Sequence, residues 1–257
     1  MFHSIIFLAC SIHLGADLAS FLFPYFCPRH WSLFSNRSDG CHLPVLVTEG
    51  TIQLMFLQRN ENLHWLVLVI LLAIFFAVVI LAPIEKTLGE TIRMVYAHVA
   101  FTRAGMVGFY ACGFLGLIVA ATNNAKMQSW TQTVGWVSFA LFVLGGIFSV
   151  FAQQASWGGI PLAEPRVHTS MTATAVAVII LLLNAWIPWI RVRGLLYVAL
   201  AGYIAWVIPR TPLVLHPQNA GASSPSTWIR LTFPVLTTLA ILIGLWIVWY
   251  FERPKEL

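Results

Sequence analysis

Trp65-Leu66-Val67-Leu68-Val69-Ile70-Leu71-Leu72-Ala73-Ile74-Phe75-Phe76-Ala77-Val78-Val79-Ile80-Leu81 is a continuous apolar run inside a tract, 62–84, that contains no Asp, Glu, Lys or Arg. A helix that crosses a bilayer needs about 20 apolar residues, so this tract reads as one membrane span. Uncharged tracts recur along the chain at 104–125, 127–163, 167–190, 194–209 and 231–251. The spacing predicts helices over 64–83, 95–121, 133–152, 169–190, 194–209 and 230–251. The fifth tract has only 16 uncharged residues, so Arg191 or Arg193 at one end and Arg210 at the other must snorkel to the interface. The expected fold is an all-α integral membrane protein, a six-helix bundle with room for one extra N-terminal helix.

Composition agrees. Of 257 residues, 59% are hydrophobic and 9% charged, with a mean hydropathy of +0.83. Soluble domains carry about 25% charged residues, so this chain cannot cover a water-facing surface. Disorder, a coiled coil and a disulfide-stapled secreted scaffold are excluded on the same ground. The eleven tryptophans suit headgroup boundaries. The net charge of +5 comes from scattered Lys and Arg with no basic run, so it speaks for anionic lipid contact and against a nucleic-acid partner. Cys10, Cys27, Cys41 and Cys112 form no CxxC pair, which leaves no zinc or dithiol motif, and no CxxCH for covalent haem.

Residues 1–61 form an N-terminal extension ahead of the membrane domain at 62–257. Phe2–Phe26 is apolar and can form the extra helix, although His13, Asp17 and Pro24 interrupt it. It lacks the basic start and small-residue cleavage site of a signal peptide. Pro28–Glu61 is polar and shows no helical periodicity. Charge does not orient the bundle. Lys126, Arg191, Arg193, Arg253 and Lys255 fall on one side, against Lys86, Arg93, Arg166, Arg210 and Arg230 on the other.

Six spans place the segments 84–94, 153–168 and 210–229 on a common side. The first leads into Arg93-Met94-Val95-Tyr96-Ala97-His98-Val99-Ala100, with His98 about one turn into the second span. The second contains Trp157-Gly158-Gly159-Ile160-Pro161-Leu162-Ala163-Glu164-Pro165-Arg166 and opens the fourth span, where Glu164 suits the positive end of the helix dipole. The third holds Leu215-His216-Pro217-Gln218 in a turn-rich loop. Taken singly, His98 reads equally well as an interfacial histidine and His216 as a solvated one. Together, on one leaflet, two neutral imidazoles facing a shared cavity meet the needs of a six-coordinate haem iron.

In order and spacing, these segments resemble the haem exporter protein C branch of the cytochrome c assembly family, over about residues 64–251. The family's first-histidine motif, roughly Arg-Ile-hydrophobic-Tyr-hydrophobic-His-Val-Pro, is matched by Arg93 to Ala100, with Ala100 in place of Pro. Its tryptophan-rich loop, roughly Trp-Gly-x-Trp-Trp-x-Trp-Asp-Pro/Ala-Arg/Lys, falls on 157–166 without a gap. Trp157, Gly158, an acid at Glu164, Pro165 and Arg166 are kept, while Ile160, Pro161 and Ala163 replace the inner aromatics. Aromatic pairs are worth about 0.5–1.5 kcal/mol each beyond area burial, so the haem platform of the family is weakened here.

The resemblance implies a haem-delivery protein of cytochrome c maturation. It binds haem b non-covalently between His98 and His216, and Trp157, Glu164, Arg166 and Arg93 touch the haem or its propionates, with Arg210 a further propionate candidate. It implies no catalysis. Its expected partners are haem, a haem-acceptor or chaperone protein, membrane lipid and a separate ATP-binding transporter, since the chain has no phosphate-cradling glycine loop. The expected site loops face the outer side of a bacterial inner (plasma) membrane or an organellar inner membrane. Two alternatives stand beside it. The first is a degenerate family member that keeps the fold as a structural subunit of a larger membrane complex. An unrelated transporter would place ionisable groups near the midplane, where the six spans hold only Arg103. His168, opening the fourth span, reads as a helix-start residue before a spare ligand.

Overall fold

The computed structural model describes residues 49–212 and 224–253, with side chains from residue 63 onward. The chain divides into two compact units, Met1–Ile52 and Gln53–Leu257. The described residues form six helices: α1 (Glu49–Leu81), α2 (Ile92–Thr122), α3 (Ala125–Trp157), α4 (Pro165–Trp186), α5 (Ile190–Arg210) and α6 (Thr227–Glu252). All six contain a stretch long and apolar enough to cross a membrane, and the described residues contain no β-strand. The protein is an all-helical integral membrane protein.

The helices outrun the expected spans because polar residues take helical or capping roles beyond each apolar tract. The loop expected between the second and third spans shrinks to Asn123-Asn124. Asn123 adopts the left-handed conformation (φ 54°) that closes α2, and its N–H donates to the Val119 carbonyl. The Asn124 side chain then accepts from the Lys126 and Met127 amides at 2.9 and 3.1 Å, capping α3. Two neighbouring asparagines therefore end one helix and start the next. At the start of the chain's described part, α1 begins at Glu49, so 49–61 is helical where the sequence reads as irregular, and the boundary expected at 61/62 falls inside α1. The extra helix expected over 2–26 lies outside the described residues.

α2 is the central helix. It packs on α3, α5 and α6, and its Ile92, Tyr96, Ala97, Ala100 and Phe101 share an apolar cluster with Phe75 and Val79 of α1 and Phe233 and Leu236 of α6. A second cluster joins Phe109 of α2 to Phe142 of α3, Ala173 and Ala177 of α4, and Leu200 and Ile204 of α5. In lipid, where the tails are as apolar as leucine, such contacts rest on close backbone approach through small residues. The α2–α5 crossing illustrates this: a Cβ placed on Gly194 would lie 2.6 Å from the Gly116 carbonyl oxygen and 2.9 Å from the Ala120 nitrogen.

Polar contacts tie the two ends of the bundle. At the α3 start, the hydroxyls of Ser129 and Thr133 donate to the Glu252 carboxylate at the end of α6, Ser129 at 3.0–3.1 Å. Arg193 of α5 donates to Gln132 of α3 at 2.7 Å on the same side. Hydrogen bonds to a carboxylate are worth about 1.5–3 kcal/mol, less where water screens them. Glu252→Ala is therefore expected to lower stability by about 1–2 kcal/mol, read as a drop in thermal midpoint in detergent, with Glu252→Gln falling between the two.

At the other end lie the connections 82–91, 158–164 and 211–226. The first contains a tight turn: the Glu85 carboxylate accepts from the Thr87 and Leu88 amides at 2.7 and 2.8 Å, and Gly89 closes it at φ 54°. The Leu88 amide, with smaller help from the other turn amides, holds the Glu85 carboxyl below the usual carboxylate range against a small opposing desolvation. A carboxyl whose folded value is depressed contributes above its unfolded value, and the contribution is lost as pH falls through the folded one. Amide exchange at Thr87 and Leu88 is accordingly expected to lose protection as pH falls through that lowered range, and Glu85→Gln is expected to abolish that pH dependence.

Candidate functional site

His98 lies in the second turn of α2, deeper than the one turn expected, because the helix already begins at Ile92. Its side chain is half-buried against α3. There its Nδ1 sits 2.9 Å from the Gly145 carbonyl oxygen and 3.3 Å from the Thr102 hydroxyl. A carbonyl oxygen can only accept, so Nδ1 carries the proton and donates. In the neutral imidazole this leaves the lone pair on Nε2. The close approach that permits the bond requires glycine at 145, since a Cβ there would strike the hydroxyl and backbone nitrogen of Thr102. Thr102 follows His98 by four residues, which puts both on one helix face. That spacing was readable from the sequence, whereas the Gly145 carbonyl was not.

A metal-binding imidazole commonly donates its remote N–H to a backbone carbonyl, which sets the tautomer and ring orientation. His98 has that arrangement, so this position fits an iron ligand. Arg93 offers a second fit. Its Nη1 pairs with Glu90 at 2.6 Å, one turn back, while its Nε is buried with no partner among the described residues. That orphan donor suits a carboxylate such as a haem propionate. The other expected ligand, His216, lies outside the described residues.

The remaining candidates sit at the same end of the bundle. Trp157 is the last residue of α3 and exposed; Gly158 caps the helix at φ 71°, with its N–H on the Gln154 carbonyl. Glu164 is buried at 3% exposure as the residue before Pro165, which occupies the first turn of α4, and Arg166 is exposed. Ile160 is exposed, and Pro161, Leu162 and Ala163 bring no aromatic ring to this connection. His168 and Arg210 line a cleft of about 470 Å³ between the α4 start and the α5 end, together with Thr169, Trp206 and Thr211. The Arg210 guanidinium lies 5.6 Å from the Trp206 ring centre and donates to the Trp206 carbonyl. Thr211 donates to Thr169 across the two helices at 3.0 Å. The described residues contain no group of three or more His, Cys, Asp or Glu able to hold a metal ion.

No family model matches the chain, and no curated protein or solved structure matches it.

Proposed function

We propose that this protein is a haem-binding membrane protein that holds haem b at the end of the bundle carrying loops 82–91, 158–164 and 211–226, for delivery during cytochrome c maturation. The observation that carries the reading is His98, whose Nδ1 lies 2.9 Å from the Gly145 carbonyl oxygen, a contact that in the neutral ring directs the lone pair to Nε2. The motif around it, Arg93 to Ala100, and the placement of His216 supply the rest.

On this reading the imidazoles of His98 and His216 would hold the haem iron. His98 is the rigid ligand, positioned by a packed helix and oriented by a backbone acceptor. Arg93, with its buried unpaired Nε, would hold a propionate, and Glu164, Arg166 and Trp157 lie at the same end of the bundle. His216, in a loop bearing Pro217 and Gly221, is the ligand that lets go when haem passes to an acceptor protein. The loss of the inner aromatics weakens haem retention between these steps.

The test is the absorption spectrum of the detergent-purified protein, oxidised and reduced, beside the His98→Ala/His216→Ala double variant. A low-spin Soret and α band present in the wild type and absent from the variant supports the reading. A folded, haem-free wild type that copurifies in fixed ratio with a larger complex replaces it with a structural-subunit role.

A further inference from the structure

Among the described residues, Arg103 is the charged residue that lies well inside a membrane-spanning helix and that the proposed haem site does not use. It is exposed, and among the described residues no hydrogen bond or ion pair reaches it.

Its depth follows from neighbouring contacts. Phe75 of α1 stacks against Phe101 at 4.6 Å between ring centres, which puts Arg103 level with about residue 73, the middle of the uncharged tract 62–84. His98 and Thr102 meet Gly145 of α3, so Arg103 lies near 143–144, close to the middle of 127–163. Thr133 meets Glu252; ten residues along each helix, 143 therefore stands near 242, the middle of 231–251. At 1.5 Å per residue, charged positions on α1 and α6 are about 15 Å away in either direction, half of a hydrocarbon core of about 30 Å. The shorter α5 ends near this depth at Arg210, but it packs on another side of α2, through Gly113 and Gly116.

Below Arg103 the same side of α2 presents Val107, Tyr110, Phe114 and Leu117, all exposed. Their spacing of three and four residues makes one continuous stripe. Arginine at mid-depth is costly in lipid and is found paired or facing water. A second copy of the described spans offers no match at mid-depth, because Glu61 of α1 lies twelve residues before position 73, and Glu49, Glu85, Glu90, Glu164 and Glu252 lie at or beyond helix ends.

We infer that the α2 stripe from Arg103 to Leu117 is the docking face for a membrane-spanning helix of a different protein, one that carries a carboxylate at mid-depth to pair with Arg103. The apolar residues pack against that helix, and the ion pair sets its depth and selects it over uncharged helices.

The test reconstitutes the full chain in phosphatidylcholine vesicles with a labelled single-span alanine–leucine helix bearing one central glutamate, or its glutamine twin. Association is read by energy transfer. The glutamate helix is expected to associate roughly three- to tenfold more strongly than its twin, the range of interhelical polar contacts in membranes. Arg103→Gln is expected to erase the preference and Arg103→Lys to keep it. Because the side chain is exposed and unpacked, both variants should keep the wild-type thermal midpoint. Equal association of the two probes with the wild type overturns the proposal, as does a preference that survives Arg103→Gln. An Asp17→Asn chain that gains a preference the wild type lacks also overturns it, by assigning the acid to this chain.

Discussion

His98→Ala is expected to abolish the low-spin haem spectrum while leaving the helical fold intact. The side chain is half-buried and its removal leaves only a small gap beside Gly145, whereas on the proposed reading haem iron would lose the ligand whose geometry the bundle holds in place. Changing groups that merely orient a metal ligand costs about 10–100-fold in affinity, and deleting the ligand itself should exceed that. Thr102→Val removes only the weaker of the two Nδ1 contacts, at 3.3 Å, and is expected to cost about tenfold or less. His168→Ala, in the cleft between α4 and α5, should leave the bands unchanged. Titration of apo protein with haem, read at the Soret band, separates the three. A His98→Ala protein that binds haem as the wild type does would falsify the assignment.

The second large effect is expected at the α2–α5 crossing. The atoms that a Cβ on Gly194 would meet are backbone, the Gly116 oxygen and the Ala120 nitrogen. No rotamer change relieves such a clash, so Gly194→Val must push the two helices apart along the seam that buries Tyr197 and Leu200. Overpacking of this kind costs about 1–3 kcal/mol or more. The expected outcome is a large fall in thermal midpoint in detergent and loss of the monodisperse species on size exclusion. Gly202→Val on the same helix is the control. Nothing lies within 4 Å of a Cβ there, and that variant should remain near wild type. Equal behaviour of the two would mean that the crossing does not carry the fold.

The sites of failure in the sequence reading share a cause. Helix ends were placed where apolar character stops, and the structure carries the helices on to Asn123, to Asn124 and back to Glu49, because capping by short polar side chains and unbroken backbone hydrogen bonding do not depend on hydropathy. His98 therefore sits a turn deeper than expected. Arg93 was matched to a haem propionate, and the structure adds a neighbour, Glu90, that already neutralises half of its guanidinium. Arg103 was visible as an oddity inside a span, but its depth and outward direction emerged only from Phe75, Gly145 and Glu252 on three neighbouring helices.

By itself, the sequence determined that the protein lives in a membrane, that it has six spans and that its polar loops gather at one end. Those features follow from a local rule: backbone polar groups in hydrocarbon must bond within their own helix, so span length and charge spacing are legible one segment at a time. Only the tertiary structure decided which helix is central, which imidazole nitrogen meets a backbone carbonyl and which charge is left on an exposed helix face. Each of these depends on contacts between residues far apart in the chain, such as His98 with Gly145 and Gly116 with Gly194, and glycines and carbonyls that enable such contacts carry no hydropathy signal.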